Sequence, residues 1–256
     1  MIIEAIETAT IKAGHEREKF SPLRLSNAGR CARQTAYDLH GFEGEPLDGR
    51  AILTFQHGNI TESVMKEWTE KGGVTIHDQQ REVTLEVEGR AIPGHIDGTF
   101  EEGGVRHVVD FKSINTLGFD RVQRDGTDRA YRAQVTAYME AAGLQTFAVV
   151  AYLNKNTQHL HEDVIPYDSM LVAEIRDRFK RVVQSTKDVL PDREHRQIPE
   201  VIRKKATGRW VLPWECGYCG HKRTCWGVET PEFSGGGRPI WVVDAPKVGE
   251  TAGVKW

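Results

Sequence analysis

Cysteine is scarce in this chain of 256 residues: there are four, at positions 31, 216, 219 and 225. With so few, a disulfide framework is not expected. An excess of positive charge is also missing. The 34 Lys and Arg residues are outnumbered by 37 Asp and Glu, for a formal net charge of −3. Any contact with a polyanion must then be local, and carboxylates that meet phosphate need a cation between them. No stretch is apolar enough to span a bilayer. Met1-Ile2-Ile3-Glu4 has neither the basic start nor the apolar core of a secretory signal, so the expectation is a cytoplasmic protein with no membrane partner. A Gly-x4-Gly-Lys-Ser/Thr phosphate loop is absent, and so is any internal repeat. What remains is ordinary for a globular protein, 39% hydrophobic and 28% charged, with length enough for one large core or two small ones.

The informative stretch is Ala91–Ser113, AIPGHIDGTFEEGGVRHVVDFKS. It reads as two strands, Ile92 to Phe100 and Val105 to Phe111, joined by an acidic, glycine-rich turn. The first places Asp97 after Gly94-His95-Ile96; the second ends in Asp110-Phe111-Lys112. Alternation puts Asp110 and Lys112 on the same side of the sheet. Two carboxylates hold a hard divalent cation such as Mg²⁺ through oxygen. A lysine beside them can orient or deprotonate a water and offset phosphate charge. That set suits metal-dependent phosphodiester hydrolysis. The bland alternative is a hairpin with acids at its rim.

Around this stretch the pattern predicts a mixed α/β chain. Residues 1–25 read as a strand or short helix and a loop. Ser26 or Asn27 caps a helix in which Cys31 falls early. Ile60, Val64 and Trp68 recur at i, i+4 and i+8, marking one apolar face of a helix; Glu62 lies on the adjoining face, where it either looks into a cleft or pairs with Lys66. Val83, Leu85 and Val87 alternate with polar residues in a half-buried strand. Residues 115–129 read as a mobile loop, solvated or gripping phosphates through Arg121 and Arg124. Gln134 and Tyr138 share one face of a helix over 129–142 and can hydrogen-bond a nucleic-acid backbone, a base or the lysine. Phe147–Leu153 is a central strand, paired with Leu160–Ile165. Asp168 caps a long helix through Val189. Arg203-Lys204-Lys205 is a basic patch in a connector, and the Gly/Pro-rich tail over 228–256 is loosely packed, with one strand at Ile240–Val243.

The C-terminal Cys216-x2-Cys219-x5-Cys225 calls for zinc or an iron–sulfur cluster, since both want thiolates in tetrahedral array. The fourth ligand is either Cys31, joining the two ends of the chain, or His221 in a Cys3His zinc site.

Taken in order, Cys31, Glu62, Asp97, Asp110-x-Lys112, Gln134-x3-Tyr138 and Cys216-x2-Cys219-x5-Cys225 resemble the RecB-like branch of the PD-(D/E)XK nucleases that carry an iron–sulfur cluster. That branch includes CRISPR-associated and phage RecB-like exonucleases and the AddB nuclease domain; the resemblance spans roughly residues 20–226. It implies a restriction-endonuclease-like α/β core, a mixed central β-sheet flanked by helices, with N- and C-terminal segments joined at the cluster. One nuclease domain is expected over 1–256, with its core at about 50–190 and cluster segments at about 20–40 and 205–227. The resemblance further implies that Asp97, Asp110 and the main-chain carbonyl of Phe111 hold Mg²⁺ or Mn²⁺, with Glu62 as a further ligand. Lys112 activates water, Gln134 and Tyr138 support the site and DNA, and Cys31, Cys216, Cys219 and Cys225 bind a [4Fe-4S] cluster. Two departures stand out: Glu62 replaces the histidine many relatives carry four residues after Gly58, and the acid of the Glu-x-Lys motif is Asp110. The implied activity is a free-standing exonuclease on single-stranded DNA or DNA ends, working with recombination, repair or CRISPR-adaptation proteins, in a host cytoplasm if phage-encoded. The rivals are a DNA-binding adaptor with a vestigial site and a zinc-stapled endonuclease.

Overall fold

A computed structural model describes residues 1–16, 21–233 and 239–246. The chain opens with helix α1 (Ile2–Glu16), a single 3-10 turn at Leu25–Asn27, and helices α2 (Ala32–Leu39) and α3 (Gly49–Lys71). Four strands follow: β1 (Glu82–Val87), β2 (Arg90–His95), β3 (Gly98–Glu102) and β4 (Val105–Ile114). Helices α4 (Thr116–Asp125) and α5 (Arg129–Ala142) lead to β5 (Phe147–Asn154), β6 (Leu160–Pro166) and helix α6 (Ser169–Val183). The C-terminal part holds a hairpin, β7 (Ile198–Ile202) and β8 (Lys205–Val211). Two short helices, α7 (Trp214–Gly217) and α8 (Lys222–Trp226), precede three two-residue strands, β9 (Glu232–Phe233), β10 (Pro239–Ile240) and β11 (Val242–Val243).

The central sheet has the order β3-β4-β5-β6. Its middle pair is parallel, with Asp110 beside Val150 and Lys112 beside Tyr152; both outer pairs are antiparallel. Two helices span the β4-to-β5 crossover, as a parallel connection requires. One face of the sheet presents Val108, Ala148, Val150 and Tyr152 to α5 and α6 in the main core. The valines among them each contribute about 1.5–3 kcal/mol on burial. The other face carries a smaller cluster, in which Val109 and Phe111 meet Met65 of α3. The β1–β2 hairpin is a separate two-stranded sheet whose Val83, Leu85 and Val87 join the main core. Leu23, Leu25, Ala28, Ala32 and Ala36 also enter that core.

Helix ends follow their capping residues. Asp48, Asn115, Asp128 and Asp168 each accept a main-chain N–H of the first turn of α3, α4, α5 and α6, as N-cap oxygens do. The start of α5 is tied to the sheet as well. Tyr152 Oη donates to Thr127 Oγ1 at 3.0 Å, and Thr127 donates through N and Oγ1 to Asp163 of β6 at 2.6 and 2.7 Å.

Several expectations are corrected. The strand expected over Ile92–Phe100 is broken at Ile96-Asp97 into β2 and β3, which belong to different sheets. The segment 115–129 is mostly helical: Gly118 lies within α4, and Gly126 ends it at φ +79°. Neither Ser26 nor Asn27 caps α2; Cys31 occupies that position, without a side-chain cap. The N-terminus is a 15-residue helix, and α6 stops at Val183, not Val189. The basic patch of the expected connector sits at the β7–β8 turn, where Arg203 and Lys204 take φ of 48° and 66°. The apolar stripe of α3 faces outward: Ile60, Val64 and Trp68 are 65, 42 and 64% exposed. The buried face, Ile52, Thr61 and Met65, is set one residue round the helix. Ser234–Gly237 lies outside the described residues.

Candidate active site

The break at Asp97 is what builds the site. At the turn between β2 and β3 the backbone leaves one sheet and enters another, and the carboxylate swings across the end of β3. Its Oδ2 accepts the N–H of Phe111 at 2.9 Å. That N–H is available because the β3 ladder against β4 ends at Gly98–Val109. The N–H and C=O of a strand residue share one edge, so the Phe111 carbonyl opens to the Asp97 side. Tight packing fixes the approach. A Cβ at Gly94 would come within 2.7 Å of Leu25 and 2.9 Å of Tyr138; one at Gly98 would come within 2.4 Å of Ile76.

Asp110 and Lys112 leave β4 on the α5 face. Lys112 Nζ stands 2.6 Å from Asp110 Oδ2. That oxygen is buried and has no donor aligned for a hydrogen bond. The ammonium is close enough for an ion pair but off the hydrogen-bond direction. Asp110 Oδ1 receives Gln134 Nε2 at 3.2 Å, and the same amide donates to Tyr138 Oη at 3.3 Å. Gln134 therefore holds the carboxylate directly, and Tyr138 reaches it through Gln134.

Burial pushes the Asp97 carboxyl up to about 7, and the neighbouring Asp110 adds to the push. Burial alone would lower Lys112, but Asp110 and Asp97 outweigh it and hold the ammonium well above its usual range. Tyr138 is pushed up to about 12 by burial, then by Asp110. Two buried carboxylates that repel one another, one with an oxygen lacking an aligned donor, form an oxygen set that suits a hard divalent cation.

Glu62 is not gathered with them. Its Oε1 pairs with Lys66 Nζ at 2.5 Å and accepts Gln80 Nε2 at 3.0 Å, although its charge still reaches Asp97. Among the described residues, no three or more His, Cys, Asp and Glu side chains form a ready metal-ion site. Arg121 and Arg124 lie exposed on α4, and Arg124 pairs with its neighbour Asp125 at 2.7 Å.

A cleft of about 640 Å³ runs from Lys112 and Phe111 to the N-terminal half of α3, with Phe55, Gly58 and Glu62 on that wall and Tyr131 of α5 on another. It lies at the carboxyl end of the parallel pair β4–β5, where open α/β sheets place ligands. Tyr131 was not singled out by the sequence, and Lys112 Nζ lies 5.3 Å from its ring centroid. The signal was there: Tyr131, Gln134 and Tyr138 fall at i, i+3 and i+7 of one helix.

The four cysteines, from opposite ends of the chain, feel one another's charge, although among the described residues no three of them stand as a ready metal-ion group. Burial pushes Cys216 up to about 12 and Cys219 up to about 11, and Cys31 and Cys225 add to both shifts. The Trp226 side chain works in the other direction on Cys216, as the main chain at His221 does on Cys219, each favouring a thiolate. His221 is not with them. Its Nε2 lies 2.7 Å from Asp38 Oδ1 and its ring stacks on Tyr37. A polar seam fastens this segment to the α2–α3 connection: Glu45 N donates to Gly220 O at 2.8 Å, and the Glu45 carboxylate binds Lys222 and Arg223.

The family model for the PD-(D/E)XK nuclease superfamily matches residues 19–226. Among solved structures, the chain resembles the crystal structure of SSO0001 with a TM-score of 0.53 at 15% identity, covering 88% of this chain and 96% of that one. It also resembles an alkaline exonuclease from Laribacter hongkongensis (TM-score 0.46, 14% identity, 70% of this chain and 90% of that one). A phage-related exonuclease from Haemophilus somnus 129PT gives a TM-score of 0.41 at 16% identity, over 61% of this chain and 89% of that one. No curated protein matches. Among the described residues no helix is long and apolar enough to cross a membrane.

Proposed function

The chain belongs to the PD-(D/E)XK nuclease superfamily, and on that premise we propose that it is a single-domain, divalent-cation-dependent deoxyribonuclease acting on single strands or DNA ends. The observation that carries this reading is the meeting of Asp97, Asp110 and Lys112 around the Phe111 main chain. Asp97, Asp110 and the Phe111 carbonyl would hold Mg²⁺ or Mn²⁺, with Glu62 joining on release from Lys66. When bound, such a cation neutralises phosphate charge and acidifies water. Lys112 keeps its proton and presents it to a phosphoryl oxygen as charge grows there. Gln134 fixes Asp110 in the required rotamer, and Tyr138, protonated at neutral pH, offers a hydrogen bond without adding charge. Arg121 and Arg124 on α4 would guide the strand. Exonuclease action, and work alongside recombination or CRISPR-adaptation proteins, extend the sequence resemblance.

We also propose a [4Fe-4S] cluster on Cys31, Cys216, Cys219 and Cys225. The charge that Cys31 and Cys225 exert on Cys216 and Cys219, and the pairing of His221 with Asp38, favour an all-thiolate set over one that includes His221.

The direct test is release of nucleotides from end-labelled single- and double-stranded DNA with Mn²⁺, Mg²⁺ or chelator. Activity that persists in chelator would sink the reading. A pH test follows from Asp97. Its folded-state value is raised, so the stability it contributes is full below its ordinary value near 3.8 and is lost as pH rises through about 7. The cation needs the ionised form, so proton and cation compete. Mn²⁺ should therefore raise the melting temperature more at pH 8 than at pH 6. Equal shifts at both values would remove Asp97 from the ligand set.

A further inference from the structure

The apolar residues of β6 point the wrong way. Leu160 and Val164 are 70 and 57% exposed, while His161 and Asp163 turn in on the side of the buried Ile165. An acid and an imidazole on the packed side of an edge strand cost free energy unless they are bonded. Here they are bonded. Asp163 Oδ2 accepts Thr127 N and Oγ1 at 2.6 and 2.7 Å, and its Oδ1 lies 3.2 Å from His161 Nε2.

The sheet register shows what this pair stands beside. Asp110 is paired with Val150 and Val150 with Asp163; Lys112 is paired with Tyr152 and Tyr152 with His161. Paired residues share a face. The acid and cation of β4 and the acid and imidazole of β6 therefore occupy the same two rows, two strands apart, which is about 9–10 Å. The start of α5 connects them. At the β6 end, Asp163 holds Thr127, one residue ahead of the Asp128 cap, and the fully buried Tyr152 donates to Thr127 Oγ1 at 3.0 Å. At the β4 end, α5 brings Gln134 to Asp110 at 3.2 Å and Tyr131 to Lys112, with 5.3 Å from ring centroid to Nζ. Ala133, Val135, Ala137 and Met139 pack α5 into the core, but apolar contacts have no direction. The Thr127 bonds do, and they fix where the helix begins. A slide of about 1 Å along the helix axis would carry Gln134 out of hydrogen-bond reach of Asp110.

We propose that Asp163 is a positioning residue for the candidate active site: by clamping Thr127 to β6 it sets the register of α5, and so the seats of Gln134 on Asp110 and Tyr131 on Lys112. The proposal rests on the nuclease reading and deepens it. Asp163 acts through the helix, from two strands away, so its loss should slow the reaction and loosen the cation without weakening the hold on DNA.

The test compares wild type with Asp163→Ala, Asp163→Asn, Gln134→Ala and the double variant Asp163→Ala/Gln134→Ala. KM and kcat are read on end-labelled single-stranded DNA at saturating Mn²⁺. The Mn²⁺ midpoint is read separately, without DNA, from the rise in melting temperature. Asp163→Ala should lower kcat by about tenfold or more and raise the Mn²⁺ midpoint by about tenfold, the scale of removing a supporting group behind a metal ligand, with KM unchanged. Asp163→Asn keeps an oxygen for Thr127 and should recover most of both. In the Gln134→Ala background, Asp163→Ala should cost at most about threefold more, because the grip on Asp110 is already gone. Should Asp163→Ala not fold, Thr127→Val, which keeps the N–H and the side-chain shape, decides: it should lower kcat several-fold at unchanged KM, and wild-type kcat would overturn the proposal. So would a folded Asp163→Ala with wild-type kcat and Mn²⁺ midpoint, a raised KM at unchanged kcat, or losses that multiply in full in the double variant. In a wild type that binds Mn²⁺ without cleaving, the nuclease reading falls, and the Mn²⁺ midpoint alone decides: a rise in Asp163→Ala keeps the clamp, and no change removes it.

Discussion

Lys112→Ala should lower DNA cleavage by about a thousandfold or more, the scale of losing a group that donates to developing charge or transfers a proton. The side chain is within 2.6 Å of Asp110 Oδ2, so its removal also exposes the two buried carboxylates to one another. Breaking a buried pair by deleting one partner costs about 3–5 kcal/mol where the remaining charge cannot escape. Here it can, because Asp97 already holds a proton up to about pH 7. The variant should therefore fold, melt somewhat lower than wild type, and recover most of that loss when Mn²⁺ is added. Activity and melting temperature, measured on one preparation, separate catalysis from folding. A folded Lys112→Ala enzyme with more than a tenth of wild-type activity would remove Lys112 from the chemistry, and wild type without activity would favour the adaptor reading.

Cys219→Ser should bleach the anaerobically purified protein and destabilise it by about 5 kcal/mol at most. That bound is the chain-entropy estimate for opening a loop of about 185 residues between Cys31 and Cys216. For a domain of this size it corresponds to a fall of on the order of 10 °C in melting temperature. The seam from Asp38 and Glu45 to His221, Lys222 and Arg223 should keep the segment docked, so the loss should fall short of unfolding. The readouts are absorption near about 400 nm, where thiolate–iron charge transfer falls, and the melting curve. A colourless wild type with stoichiometric zinc would replace the cluster with a zinc staple. A colourless wild type without bound metal, as stable as the serine variant, would leave the four thiols as packing residues.

Helix α5 was legible to the residue, because Asp128 and Gly143 bracket an unbroken periodic run. Strand β5 was legible to within one residue, as an apolar run that a central strand accommodates. Helix α4 was not, because two glycines and mixed charges over 115–129 outweighed Asn115, a cap that only the folded turn reveals. The hairpin of β7 and β8 was hidden for the same reason: its turn is made by Arg203 and Lys204, residues that seldom adopt positive φ.

The sequence by itself determined the chemical inventory of the site, two acids and a lysine on or beside one hairpin and four thiols at the chain's ends. It also determined that Asp110 and Lys112 share a side, because strand periodicity is a local property. Only the tertiary structure decided that the backbone breaks at Asp97, that Glu62 turns to Lys66, that His221 turns to Asp38, and that Ile60, Val64 and Trp68 face outward. Each is a choice among partners of similar local merit. Periodicity fixes which residues lie together on a face but not what that face meets, and that depends on groups distant in the chain.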